Sequence, residues 1–163
     1  MPPRPIETTK RPPGRGRGGR AGVPAEAFAH RGLPDRSAFD QAMIERIDAH
    51  GADTVVLAGF MRILSPGFVR HYQGRLINIH PSLLPKYPGL NTHARALEAG
   101  DREHGCSLHF VTDELDGGPL IAQARFPVSA NDNAENLSET VHAQENRLFH
   151  PGTRPGAPPR PPA

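Results

Sequence analysis

Proline confines the part of this chain that can fold to its middle. Residues 1–20 hold 5 of the 19 prolines and residues 151–163 hold 6, which leaves 8 for the 130 positions between. Charge divides at the same places. Residues 1–20 carry six Lys/Arg against Glu7 alone, and Arg154 and Arg160 have no acidic neighbour in the tail, whereas residues 21–150 hold 11 basic and 16 acidic side chains. The formal net charge of +2 therefore averages basic ends and an acidic middle. A Pro/Gly/Arg segment with almost no apolar side chains cannot offset its ordering entropy by burial. Residues 1–21 and 151–163 are accordingly expected to be disordered, on either side of one modest domain at 22–150.

No apolar run approaches the ~18 residues of a spanning helix, and the first twenty residues lack the apolar stretch of a signal peptide. The expectation is a soluble, cytoplasmic protein with no membrane partner. Cys106 is the single cysteine, which excludes an intramolecular disulfide framework and a multi-thiolate zinc site. It reads as a small buried hydrophobe.

Within 22–150 helical and strand patterns alternate. Asp35 is an N-cap candidate for a helix that repeats Phe39, Met43, Ile44 and Ile47 on one face and stops at Gly51. Thr54–Gly59 is a continuous apolar run, the pattern of a strand covered on both faces. A short helix follows at Ser65-Pro66, carrying Phe68, Val69 and Tyr72, then a second buried strand at Arg75–His80. Pro81, Pro85, Pro88 and Gly89 impose a rigid extended loop. Thr92–Ala99 reads as a helix capped by Asn91 or Thr92. Cys106–Val111 and Pro119–Val128 read as strands around a turn at Asp113–Gly118, forming a hairpin or an edge addition. A last helix starts near Asp132 or Asn133 and presents Leu137, Val141 and Leu148 on one face. The sum is an α/β fold, a mostly parallel Rossmann-like sheet flanked by helices.

Two features of the basic end carry little weight. Gly14, Gly16 and Gly19 satisfy G-x-G-x-x-G, but no buried strand precedes them and no helix opens on them, so the dinucleotide reading lacks its context. The run Arg15–Arg20 suits nucleic-acid phosphates, yet it has no interleaved aromatics, and the acidic middle argues against a nucleic-acid partner.

Ligands of open parallel sheets bind beyond the carboxyl ends of the strands, where Asn78 and His80 stand. Two apart on a strand, they share a face. Asn78 can donate to an oxygen and His80 can exchange a proton. Asp116, on a turn flanked by Gly117 and Gly118, can hold the imidazole or a water. An amide donor, an imidazole and a carboxylate suit acyl transfer without a covalent intermediate on the protein. The alternative for the same residues is capping and packing at a strand end. His93, His104 and His109 lack the full ligand set of a metal site, so no metal is expected.

The stretch Asn78-Ile79-His80-Pro81-Ser82-Leu83-Leu84-Pro85-Lys86-Tyr87-Pro88-Gly89 resembles the signature of the folate-dependent formyltransferases. Val56–Leu64 before it and His109–Pro119 after it extend the resemblance, from about Gly22 to His150. The resemblance implies the formyltransferase fold, with 10-formyltetrahydrofolate as co-substrate and transfer of its formyl group to the amine of glycinamide ribonucleotide in purine biosynthesis. Asn78, His80 and Asp116 would be catalytic. Arg36, Met61, Arg62, Ile63, Leu64, Asn78, Thr112, Asp113, Glu114, Leu115 and Asp116 would contact folate, and His142 and Glu145 the ribonucleotide. Family members normally start with a strand, a phosphate-cradling loop and a helix, a leading βαβ unit expected to be missing from residues 1–21. Three further readings accompany the transferase. Formyltetrahydrofolate hydrolysis uses similar residues, though Pro81 and Lys86–Gly89 favour transfer, and an inactive folate-binding remnant is the non-enzymatic option. Transfer to methionyl-tRNA lacks a second domain. Oligomeric state is not legible.

Overall fold

The computed structural model of the chain describes residues 6–7, 22, 25–28 and 32–149. The ends expected to be disordered lie outside the described residues, apart from the two-residue strand β1 (Ile6–Glu7). The chain forms two compact units, one running up to Asp53 and including Ile63–Phe68, the other formed by Thr54–Arg62 and the chain from Val69 onward.

In the first unit β1 pairs in parallel with β2 (Glu26–Ala27), Ile6 opposite Glu26. Helix α1 (Arg36–Ala49) opens where the sequence predicts, because extended Asp35 accepts the Ala38 N–H at 2.8 Å and so satisfies one of the unpaired donors of the first turn. It closes at Gly51, whose φ of 63° suits a residue without Cβ. Its buried face is Phe39, Met43, Ile44 and Ile47. Phe28 stacks on Phe39 at 5.0 Å, and Arg46 lies over the Phe28 ring while ion-pairing with Glu26. Buried Asp40 is not an orphan charge, since it accepts the Ser65 N–H at 2.6 Å. The division between the units falls inside α2 (Pro66–His71).

The second unit is a four-stranded sheet in the order β3 (Val55–Ala58), β4 (Leu76–His80), β5 (Glu103–Phe110), β6 (Leu120–Pro127). β3 and β4 are parallel, Val55 opposite Leu76, and β5 and β6 continue antiparallel, so the sheet is mixed. The hairpin reading of β5 and β6 holds, and β5 starts three residues before the apolar run because Glu103, His104 and Gly105 pair with Pro127, Phe126 and Arg125. The expectation that β3 is covered on both faces fails. Val56 is 46 % exposed, and exposure alternates along the strand even though every residue in it is apolar. A short apolar run gives the element but not the depth of its burial.

Register assigns the faces of this sheet. Ile79, Cys106, Leu108, Ala124 and Phe126 form one side and pack with Val141 and Leu148 of α4 (Ala134–Leu148). Burying Val141 and Leu137, each 1 % exposed, contributes about 1.5–3 kcal/mol apiece. α4 opens on a reciprocal cap in which Asn133 and Asn136 each bond the other's backbone N–H. Helix α3 (Thr92–Glu98) departs from expectation at its start. Neither Asn91 nor Thr92 caps it through a side chain: Asn91 sits at φ 56°, and the Thr92 hydroxyl donates instead to the Pro81 carbonyl at 2.6 Å, tying the helix to the proline loop.

Candidate active site

The opposite face of the sheet is polar beyond buried Leu76, where β4, β5 and β6 run side by side. Asn78 lies opposite His109, His80 opposite Ser107, and Ser107 opposite Gln123, so the pleat aligns these side chains on the side away from α4. Such a face needs polar cover, and the loop after β4 supplies it. Ser107 Oγ accepts the Leu84 N–H at 3.0 Å and donates to the Ser82 carbonyl at 2.7 Å, and Gln123 Nε2 donates to the Leu84 carbonyl at 2.8 Å. Ser107 and Gln123 were not singled out from the sequence. They are visible there only once β5 and β6 are known to pair, as alternate residues facing the proline loop.

At the end of β4 the sheet and this loop enclose a histidine. His80 is 5 % exposed, and its Nε2 lies 2.8 Å from the Tyr87 carbonyl. A carbonyl only accepts, so Nε2 carries the proton and Nδ1 is left as the exchangeable nitrogen. Nδ1 faces Asp116 Oδ2 at 3.4 Å. Asp116 is held by the Gly89 N–H, which donates to Oδ2 at 2.8 Å, and its own φ is 51°, a left-handed backbone at the tip of the 112–118 turn. His80 and Asp116 of the sequence-predicted trio thus meet in the second unit, with Asn78 two residues before His80 on the same face of β4.

The structure adds His109, which the sequence discounts as a metal ligand and otherwise places only in the His109–Pro119 stretch of the family resemblance. Burial, 2 % exposed, pushes its imidazole pKa below the usual value, with the Phe110 carbonyl and Asp116 pulling the other way. Nδ1 donates to the Phe110 carbonyl at 2.9 Å, which leaves Nε2 as an acceptor for the Asn78 amide N–H at 3.2 Å. That bond assigns the Asn78 NH₂ to His109's side and fixes its second hydrogen. Asp116 Oδ1 is 3.8 Å from the same His109 nitrogen.

The turn carrying Asp116 depends on a glycine. A Cβ on Gly118 would fall inside the van der Waals shell of the Phe110 carbonyl oxygen, a backbone atom in β5, whereas one on Gly117 meets only the flexible Glu114 side chain. Gly118→Ala is expected to lower stability by about 1–3 kcal/mol. Gly117→Ala is expected to stay within about 0.5 kcal/mol of the parent. Equal urea midpoints for the two variants would show that the Asp116 turn is not pinned there.

The remaining predicted residues are spread more widely. Met61 is 78 % exposed and Arg62 half-buried; Thr112, Asp113, Glu114 and Leu115 are exposed along the turn. Arg36, Ile63 and Leu64 belong to the first unit. His142 is exposed and pairs with Glu145 at 3.0 Å on α4, and neither bonds to Asn78, His80 or Asp116. Among the described residues no three His, Cys, Asp or Glu side chains gather as metal ligands, and His93 and His104 instead share a hydrogen bond at 2.9 Å. No helix of the described residues is long and apolar enough to cross a membrane.

With this geometry in place, the profile described as "Formyl transferase" matches residues 6–151. The chain belongs to the formyl transferase family. Its match starts inside the stretch that carries β1, ahead of the Gly22 at which the motif resemblance starts. The chain is 57 % identical to the phosphoribosylglycinamide formyltransferase of Escherichia coli K12 over 129 residues, 79 % of this chain and 61 % of that protein. It is 44 % identical to the trifunctional purine biosynthetic protein adenosine-3 of Drosophila melanogaster over 79 % of this chain and 10 % of that one. The solved phosphoribosylglycinamide formyltransferase of Coxiella burnetii superposes with a TM-score of 0.82 at 48 % identity, covering 90 % of this chain and 69 % of that one. The formyltransferase fold, a mixed sheet flanked by helices, is therefore the fold of this chain, which spans about three fifths of the length of its E. coli relative.

Proposed function

We propose that this formyltransferase domain, at 22–150, moves a formyl group from 10-formyltetrahydrofolate to the primary amine of glycinamide ribonucleotide, a cytoplasmic step of purine biosynthesis. The observation that carries the reading is the buried His80 facing Asp116, with Asn78 beside it on β4, in a chain 57 % identical to a phosphoribosylglycinamide formyltransferase. The co-substrate supplies the activated formyl carbon. This chain's residues handle oxygen and protons. The second N–H of Asn78 donates to the formyl oxygen as it gains charge under attack by the amine. His80 takes the ammonium proton on Nδ1 and gives it to the departing folate nitrogen, while Asp116, 3.4 Å away, stabilises the transient imidazolium. One C–N bond forms and one breaks, with no net change in protons held by the chain. Exposed Met61 and Leu115, with the backbone of 112–116, offer apolar contact for the pteridine, with Arg36, Arg62, Ile63 and Leu64 as further folate contacts. His142 and Glu145 are assigned to the ribonucleotide.

The test follows tetrahydrofolate release from 10-formyltetrahydrofolate with and without glycinamide ribonucleotide, with His80→Ala as control. Release that requires the ribonucleotide and disappears in the variant is the expected result. Release without the ribonucleotide would replace transfer by hydrolysis, and a folded chain with no release would leave a folate-binding remnant.

A further inference from the structure

The loop Lys86–Leu90 touches both titratable partners of the proton transfer. The Tyr87 carbonyl holds His80 Nε2 and the Gly89 N–H holds Asp116 Oδ2, each at 2.8 Å. Both are backbone groups, so they are only as fixed as the loop. The loop has no strand or helix to fix it, and it keeps Tyr87 at φ 54°.

The Ser82 hydroxyl holds the loop backbone, 2.6 Å from the Lys86 carbonyl and 3.2 Å from the Tyr87 carbonyl, and Asp101, just ahead of β5, anchors its side chains. One carboxylate oxygen accepts from Lys86 Nζ at 2.9 Å and the other from the Tyr87 hydroxyl at 2.8 Å. These two bonds hold its carboxyl below the usual carboxylate range. From α3, Arg95 lies 5.2 Å from the centre of the Tyr87 ring and donates to the Pro88 and Leu90 carbonyls at 2.6 and 3.2 Å. The ring is thereby clamped at its hydroxyl and over its face, which adds to the hold of Ser82 on its carbonyl.

The consequence is a choice of tautomer. A neutral imidazole beside a carboxylate favours a proton on the facing nitrogen, which for His80 would be Nδ1 against Asp116. That form cannot accept the amine's proton there. The Tyr87 carbonyl opposes it by demanding a proton on Nε2. Resting on the transferase reading, we propose that Asp101 is a positioning residue for the reaction, holding Tyr87 so that its carbonyl keeps His80 in the Nε2–H form with Nδ1 open to the proton.

The test compares Asp101→Ala, Asp101→Asn and Tyr87→Phe in the full chain, reading kcat and KM for both substrates together with the ¹⁵N shifts of the His80 imidazole. Asp101→Ala and Tyr87→Phe are expected to lower kcat about 10- to 100-fold with KM within about twofold, as for a misplaced catalytic group. In both variants the Nε2–H signature gives way to a tautomer mixture. Asp101→Asn keeps an oxygen for the Tyr87 hydroxyl and is expected to restore kcat to within about threefold of the parent and the parental signature. Should Asp101→Ala not fold, Tyr87→Phe carries the same test. An unchanged His80 signature, an unchanged kcat, or a rise in KM alone overturns the proposal. If the parent chain does not transfer formyl, the transferase reading fails separately, and the ¹⁵N signature by itself decides whether Asp101 sets the tautomer.

Discussion

An Asn78→Asp substitution is expected to lower kcat for formyl transfer by more than ~1,000-fold while the chain stays folded. The two side chains have the same shape, so packing at this half-buried position is preserved. What changes is the hydrogen-bond inventory. A carboxylate has no N–H to offer the formyl oxygen, and loss of one such donor alone is worth about 100- to 1,000-fold. The new negative charge also opposes the charge that develops on that oxygen. It meets the Nε2 lone pair of His109 where Asn78 donates at 3.2 Å, and Asp116 Oδ1 lies only 3.8 Å from that same nitrogen. His109, whose pKa burial already lowers, can relieve the repulsion only by taking a proton that its surroundings disfavour. Steady-state kinetics beside a thermal melt make the check. A kcat within tenfold of the parent at an unchanged melting temperature would remove Asn78 from the chemistry.

The placement of the three residues proposed for catalysis was legible because each signal is local. Asn78 and His80 are two apart on an apolar strand that ends in proline, and Asp116 sits in a turn marked by two glycines. The helices α1 and α4 announce themselves through Asp35 and Asn133 and the spacing of their apolar residues. The supports of the site are encoded at long range instead. His109 faces Asn78 because β5 runs antiparallel to β4 in one particular register, which sets Ile77 opposite Phe110 and Ile79 opposite Leu108 on either side of that pair. Sequence spacing shows His109 only as a polar residue on an alternating strand. The reach from Asp101 to Tyr87 crosses 14 positions and from Gln123 to Leu84 crosses 39, and neither pair has a local signature. The exposure of Val56 was hidden for the converse reason: Val-Val-Leu-Ala is apolar on both faces whichever face is covered.

Acid is expected to cost the fold about 3 kcal/mol at a single residue, His104. It is 1 % exposed, and burial first, then the neighbouring His93, lowers its pKa from 6.5 to about 4, with Asp101 pulling weakly upward. The imidazole lies edge-on to Phe126, and its Nε2 shares one proton with His93 Nδ1 at 2.9 Å, so charging both rings would put two N–H groups face to face. His93 is itself lowered by burial and by His142. In the unfolded chain His104 protonates as pH falls through 6.5, while in the native chain it resists until about 4. The unfolded state therefore binds more protons across that window, and stability falls with pH there and levels off, for this group, below 4. Against a total of roughly 5–15 kcal/mol for a typical domain, the loss is large. His104→Gln keeps a hydrogen-bonding side chain of similar length without the titration. Urea unfolding at pH 7.5 and pH 4.5 is expected to show a loss for the parent that exceeds the loss for His104→Gln by about 2–3 kcal/mol. Part of the pH dependence survives in the variant, because buried His109 and half-buried His93 titrate with the same sign. Parallel losses in the two chains would mean that His104 takes up its proton as readily inside the fold as outside it.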